Sequence, residues 1–129
     1  MKLYQYLKED REERLFKRWI LDGRGLKGNQ YIVYHGTTES RSKAILKSGL
    51  KEPSGAYSPS WYMVTTSKKV AKDEFAKGYA NETDRPVVLK ITIPKDKIRE
   101  LLFAGQETSY KDIQHALKKA ILPKYIKKD

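Results

Sequence analysis

A chain of 129 residues with 39% apolar and 11% aromatic side chains reads as one domain, with enough apolar mass for a core and too much for global disorder. Lys and Arg number 27 against 16 Asp and Glu, a net charge of +11 that attracts nucleic acid or an acidic protein and carries no information on fold. With no cysteine there are no disulfides or thiolate metal sites, two distant histidines make no zinc site, and no run of 18 apolar residues supplies a membrane-spanning helix.

The charged start Met1-Lys-Leu-Tyr-Gln-Tyr-Leu-Lys-Glu-Asp10 lacks a secretory pattern, so a cytoplasmic location is the expectation, delivery as an effector aside. Leu3, Leu7, Leu15, Trp19 and Ile20 sit at roughly helical spacing among charges and predict a helix over 3–21. Three glycines in Asp22–Asn29 predict a loop. Tyr31-Ile-Val-Tyr34 is β-favouring, and a strand over 31–35 follows, with a turn presenting His35, Gly36 and Thr37 at its end.

Thr38 or Ser40 then caps a helix whose apolar face is Ala44, Ile45 and Leu46, ended by Ser48-Gly49. Residues 51–60 are loop, and Trp61 to Thr66 is a short strand. A helix over 68–80 carries Val70, Ala71, Phe75 and Tyr79 as its buried stripe. Asn81 to Pro86 is a polar turn, and Pro86-Val-Val-Leu-Lys-Ile-Thr-Ile-Pro94 is the clearest strand, closed by proline at both ends. A short helix over 95–102, a loop over 104–108, helical spacing through Ile113 and Leu117, and an extended close over 120–126 complete the chain. Strands and helices interleave without a βαβ rhythm, which favours an α+β fold in a single domain, with 1–29 as N-terminal helix and loop and 30–129 as core.

Imidazole, glycine backbone and hydroxyl at one strand end can grip a polar ligand, because the ring and hydroxyl exchange hydrogen bonds and glycine admits a flat group to the backbone. Tyr34-His-Gly-Thr37, followed by a helix ending Ala44-Ile-Leu-Lys-Ser-Gly-Leu50, resembles the opening of the ADP-ribosyltransferase superfamily. The branch in question holds diphtheria-type toxins, poly(ADP-ribose) polymerases and RNA 2′-phosphotransferases. Trp61-Tyr-Met-Val-Thr-Thr-Ser67 with its Ala-containing helix, the Pro86-Val-Val-Leu strand and the close Ile121-Leu-Pro-Lys-Tyr-Ile126 are similar to later family elements in the same order.

The resemblance implies a compact split β-sheet core with flanking helices, and NAD as substrate for transfer of ADP-ribose to a protein or nucleic acid. It implies that His35 bonds the nicotinamide-side ribose, Gly36 pairs with the carboxamide, and Thr37 supports the turn or touches the ligand. Tyr62 would stack on the pyridinium ring, with Phe75 on the helix as a second aromatic and Tyr57 as a loop alternative. Small size suits a toxin or phage effector. The family's late catalytic glutamate is less plain. After the Pro86 strand the acidic residues are Asp96, Glu100, Glu107, Asp112 and Asp129, and Glu107 in its Gly-containing loop is the candidate. The strand leading into the close offers Gln114 and His115 instead. Two alternatives stand beside an active transferase. One is an inactive binding module acting through its basic surface. The other is an RNA 2′-phosphotransferase-like enzyme, for which Arg41 and Arg85 are the only nearby arginines and 30 residues before the strand leave no room for that branch's N-terminal lobe.

Overall fold

The computed structural model describes residues 14, 18, 25–51, 63–103, 106–107 and 113–129. The chain is mixed α and β. Its strands, in chain order, are β1 (Leu26–Lys27), β2 (Gln30–Thr38), β3 (Met63–Thr65), β4 (Pro86–Pro94), β5 (Gln106–Glu107), β6 (Ile113–Ala116) and β7 (Ile126–Lys128). They make one antiparallel sheet in the order β5-β6-β3-β2-β4-β7, with β1 folded onto β2. Among the described residues no helix is long and apolar enough to cross a membrane.

The sheet is anchored by β2 and β4, which pair along their whole length from Gln30↔Pro94 to Thr38↔Pro86. Alternate residues of these strands face a common core: Tyr31 and Val33 from β2, and Val87, Leu89, Ile91 and Ile93 from β4. Ile45 of α1 (Glu39–Ser48), Leu50, Ile98, Leu102, Leu117 and Ile121 close over that face. Fully burying side chains of this kind contributes about 1.5–3 kcal/mol each, and Val64 of β3 belongs to the same core.

Over Gly36 the opposite face carries a helical run: α2 (Lys68–Val70), a π-helical stretch (Ala71–Ala76) and α3 (Lys77–Tyr79). It approaches Gly36 closely. A Cβ there would overlap the Ala71 carbonyl oxygen and stand 2.6 Å from the Ala76 nitrogen. Ala71 and Ala76, both fully buried, are five residues apart, the repeat of a π turn, and the Lys77 N–H bonds Lys72 O in that pattern. The stripe therefore departs from the one expected, because the wider turn puts Ala76 under the helix and leaves Phe75 half-buried.

Several boundaries also differ from the sequence expectation. β2 runs on through His35, Gly36, Thr37 and Thr38, since β4 supplies a partner for each of them. The expected loop before it contains a hairpin, β1 to β2, turning at Gly28 with φ +61°. Residues 113–116 are strand, not helix, with Ile113 and His115 inward in a period of two. Glu107 lies in a two-residue strand rather than a loop. Within α1, Ser42 and Ile45 are buried while Ala44 is exposed. Its start is capped neither by Thr38 nor by Ser40. Asp84 reaches in instead, accepting from Ser40 N at 3.0 Å and from Ser40 Oγ at 2.6 Å.

The glycine end of α1 is as expected: Gly49 has φ +87° and its N–H bonds Ile45 O at 2.7 Å. The short helix after β4 is present as a 3-10 turn (Lys95–Lys97) and α4 (Ile98–Leu101). The closing segment is a 3-10 turn (Pro123–Tyr125) leading into β7. Arg14 and Arg18 are helical, and the rest of the expected N-terminal helix lies outside the described residues.

Gly36→Ala is expected to cost about 3 kcal/mol, the upper end for overpacking, because the obstructing atoms are backbone on both sides. Chemical denaturation of the variant measures it. A loss under about 0.5 kcal/mol would mean the helix does not rest on Gly36.

Candidate functional site

Within β2 the direction of each backbone amide follows from the ladder. The Glu39 N–H bonds Arg85 O and the Lys95 N–H bonds Asn29 O, each at 2.9 Å. Antiparallel alternation then turns the odd residues of β2 towards β4 and the even ones towards β3. Tyr34 obeys this rule, pairing with Thr65, and that single pair is the whole β2–β3 ladder among the described residues. Continuing the register would set Gly36 against Met63. The Met63 carbonyl is occupied differently, because His35 Nδ1 donates to it at 2.9 Å. The N–H and C=O of Gly36 thus face the β3 side, where no β2–β3 pair beyond Tyr34↔Thr65 is present among the described residues.

His35 is 2% exposed. A carbonyl can only accept, so Nδ1 carries the proton and Nε2 of the neutral ring is left as an acceptor. Burial lowers its pKa to about 4, opposed by the bond to Met63, while Arg41 pushes in the same direction as burial. Thr37 lies on the same sheet face two residues on, and its buried Oγ1 has no hydrogen-bond partner among the described residues. An orphaned buried hydroxyl costs roughly 1–3 kcal/mol.

A second histidine crosses the same seam. His115 Nδ1 donates to Phe103 O at 3.0 Å, which fixes Nε2 as the acceptor for the Tyr31 hydroxyl at 2.7 Å. The two rings meet edge to face, 5.5 Å between centroids. Burial pushes the Tyr31 phenol up and brings His115 down to about 4. In the sequence Tyr31 reads only as a strand former and His115 only as a residue standing where a carboxylate is expected, and nothing there joins the two. Reading Ile113 and His115 in a period of two, rather than Ile113 and Leu117 in a period of four, would have exposed it.

The candidate residues are brought together only in part. His35 and Thr37 share one face of β2, and the Gly36 backbone edge lies between them. Phe75 belongs to the other face, its Cβ just under where a Gly36 Cβ would stand. Tyr57 and Tyr62 lie outside the described residues. Glu107, in register with Ile113 on β6, is three strands from β2 in the order β5-β6-β3-β2. At ~4.8 Å per strand that separation is ~14 Å, so His35 and Glu107 are not neighbours. Arg41 stands within electrostatic range of His35, while Arg85 is exposed and uses its carbonyl to fasten the start of α1. Among the described residues no three His, Asp or Glu side chains come together to hold a metal ion. No family model, curated protein or solved structure matches the chain.

The two histidines set the acid response. Each has a folded pKa of about 4 against an ordinary 6.5, so the unfolded chain takes up protons that the folded chain refuses. Stability is full above pH 6.5 and is lost as pH falls towards 4, by up to about 3 kcal/mol for each histidine. Urea denaturation at pH 7 and pH 4.5 reads this directly. His115→Gln, less stable at pH 7, is expected to lose less on acidification. Equal stability at the two pH values would contradict the assignment.

Proposed function

We propose that the chain binds NAD⁺ at the His35–Gly36–Thr37 seam and transfers its ADP-ribose group to a macromolecule. The observation that carries the reading is the stalled ladder. With Met63 O held by His35, the Gly36 N–H and C=O face the seam as the donor–acceptor pair that a carboxamide lying in the sheet plane would engage. His35 Nε2 is an acceptor suited to a ribose hydroxyl, and Thr37 Oγ1 lacks a partner that a ligand would give it. With Phe75 on the far face, Tyr62 is the stacking ring in this reading. In the reaction the nicotinamide–ribose bond breaks with its electron pair leaving on neutral nicotinamide. An acceptor nucleophile then bonds the ribose carbon and gives up its proton. Glu107, three strands from β2, is out of reach of that proton, which in this reading passes to solvent.

A second reading is favoured by one observation. β6, the strand beside β3, carries Gln114 and His115 and no carboxylate, and Glu107 is displaced to the sheet edge. On that reading the chain binds NAD⁺ or a related ligand without turning it over and acts as a binding module.

Thr37→Val separates a site from a mere fold. Replacing an orphaned hydroxyl with a methyl of the same shape is expected to stabilise the unliganded protein by about 1 kcal/mol and to weaken NAD⁺ binding severalfold. Thermal shift with and without NAD⁺ reads both. A wild type that gains no stability from NAD⁺ would rule out the binding reading. Glu107→Gln is expected to spare both NAD⁺ binding and NAD⁺ consumption, and a loss of consumption would bring Glu107 back into the mechanism.

A further inference from the structure

The cross-strand register places Lys127 of β7 opposite Lys90 of β4, and Lys90 opposite Tyr34 of β2. These three share the sheet face away from the Leu89–Ile91 core. Like charges directly opposite on adjacent strands are destabilising, and among the described residues no carboxylate pairs with either lysine. Lysines on an edge strand are ordinarily explained as guards against sheet-to-sheet pairing. That accounts for Lys127 and Lys128. It does not account for Lys90, which is half-buried on a strand flanked on both sides.

A third ammonium converges on the same corner. Lys68, the first residue of α2, reaches Asp129 Oδ2 at 2.6 Å and lies within electrostatic range of the Tyr34 phenol. Asp129 is itself tied to the sheet, its N–H bonding Val88 O at 3.1 Å. One carboxylate among three ammoniums leaves a local excess of positive charge beside a half-buried aromatic ring.

We propose that Lys90, Lys127 and Lys68, with Tyr34, form a docking corner for single-stranded nucleic acid. The lysines take successive backbone phosphates and the tyrosine ring offers a face to an unstacked base. An acidic peptide would use the charges and leave Tyr34 idle, and a duplex keeps its bases stacked away from the ring. The corner lies on the opposite sheet face from His35, so it stands or falls separately from NAD⁺ binding.

The test is fluorescence anisotropy of a labelled oligothymidine of about 20 nucleotides with the full chain at several salt concentrations. Lys90→Gln combined with Lys127→Gln is expected to weaken binding by about tenfold or more and to flatten the log–log salt slope by about 1.4. If the double variant melts early, Lys127→Gln alone is expected to give about half of that slope change. Lys43→Gln combined with Lys95→Gln removes the same charge from exposed positions elsewhere and is expected to change affinity less than about twofold. Tyr34→Leu is expected to weaken the oligothymidine while leaving polyglutamate binding unchanged. Equal losses in the two double variants would overturn the corner, since net charge alone would then account for binding. Insensitivity to Tyr34→Leu, or polyglutamate bound as tightly as the oligonucleotide, would overturn nucleic acid as the partner.

Discussion

The junction between β2 and β3 governs the rest of this molecule. On one side of it, β2 and β4 share an unbroken ladder from Gln30↔Pro94 to Thr38↔Pro86 over a core of buried aliphatic side chains. On the other side, β3, β6 and β5 form a short three-stranded piece. Among the described residues one backbone pair, Tyr34↔Thr65, joins the two, reinforced by His35 to Met63 and by Tyr31 to His115. Both side-chain bonds come from the chain's two histidines. Net contributions of such hydrogen bonds are about 1 kcal/mol each, well below the burial term of the β2–β4 half. Val64 of β3 also packs into the same buried core, so the two pieces are joined by burial as well as by these bonds.

The same arrangement ties packing to chemistry. Gly36 lets the π stretch Ala71–Ala76 rest on the strand backbone, which fixes the height of the helix over the sheet. Its backbone edge still points sideways into the seam. The residue thus serves two neighbours at right angles, the helix above and the vacated ladder position beside it. His35, on the far face, donates from Nδ1 to Met63 O.

Where local pattern and long-range pairing agreed, the fold was legible in the sequence. Pro86 and Pro94 bound the strand between them because neither can extend a ladder on both sides. Gly49 ends α1 because a positive φ is cheap only for glycine. The misreadings arose where a distant strand decided the matter. Gly36-Thr37-Thr38 has turn composition, yet Val88, Val87 and Pro86 lie opposite and keep it extended. Ile113 and Leu117 have helical spacing, yet Val64 and Thr65 pair with His115 and Gln114 and make a strand. The five-residue spacing of Ala71 and Ala76 has no signature until the close approach to Gly36 is known.

Of the candidate site, His35 and Thr37 were readable as a pair. Their surroundings, the carbonyl of Met63 and the missing partner of Thr37, were not. The central claim is that the Gly36 edge receives a carboxamide beside an Nδ1-protonated His35. Nitrogen NMR of labelled protein titrated with NAD⁺ tests it most directly. The account predicts that the free protein shows His35 protonated on Nδ1 and bare on Nε2. Addition of NAD⁺ then moves the Gly36 amide and the His35 Nε2 resonances together and saturably. A His35 protonated on Nε2, or a Gly36 amide that stays still while NAD⁺ binds, would contradict it.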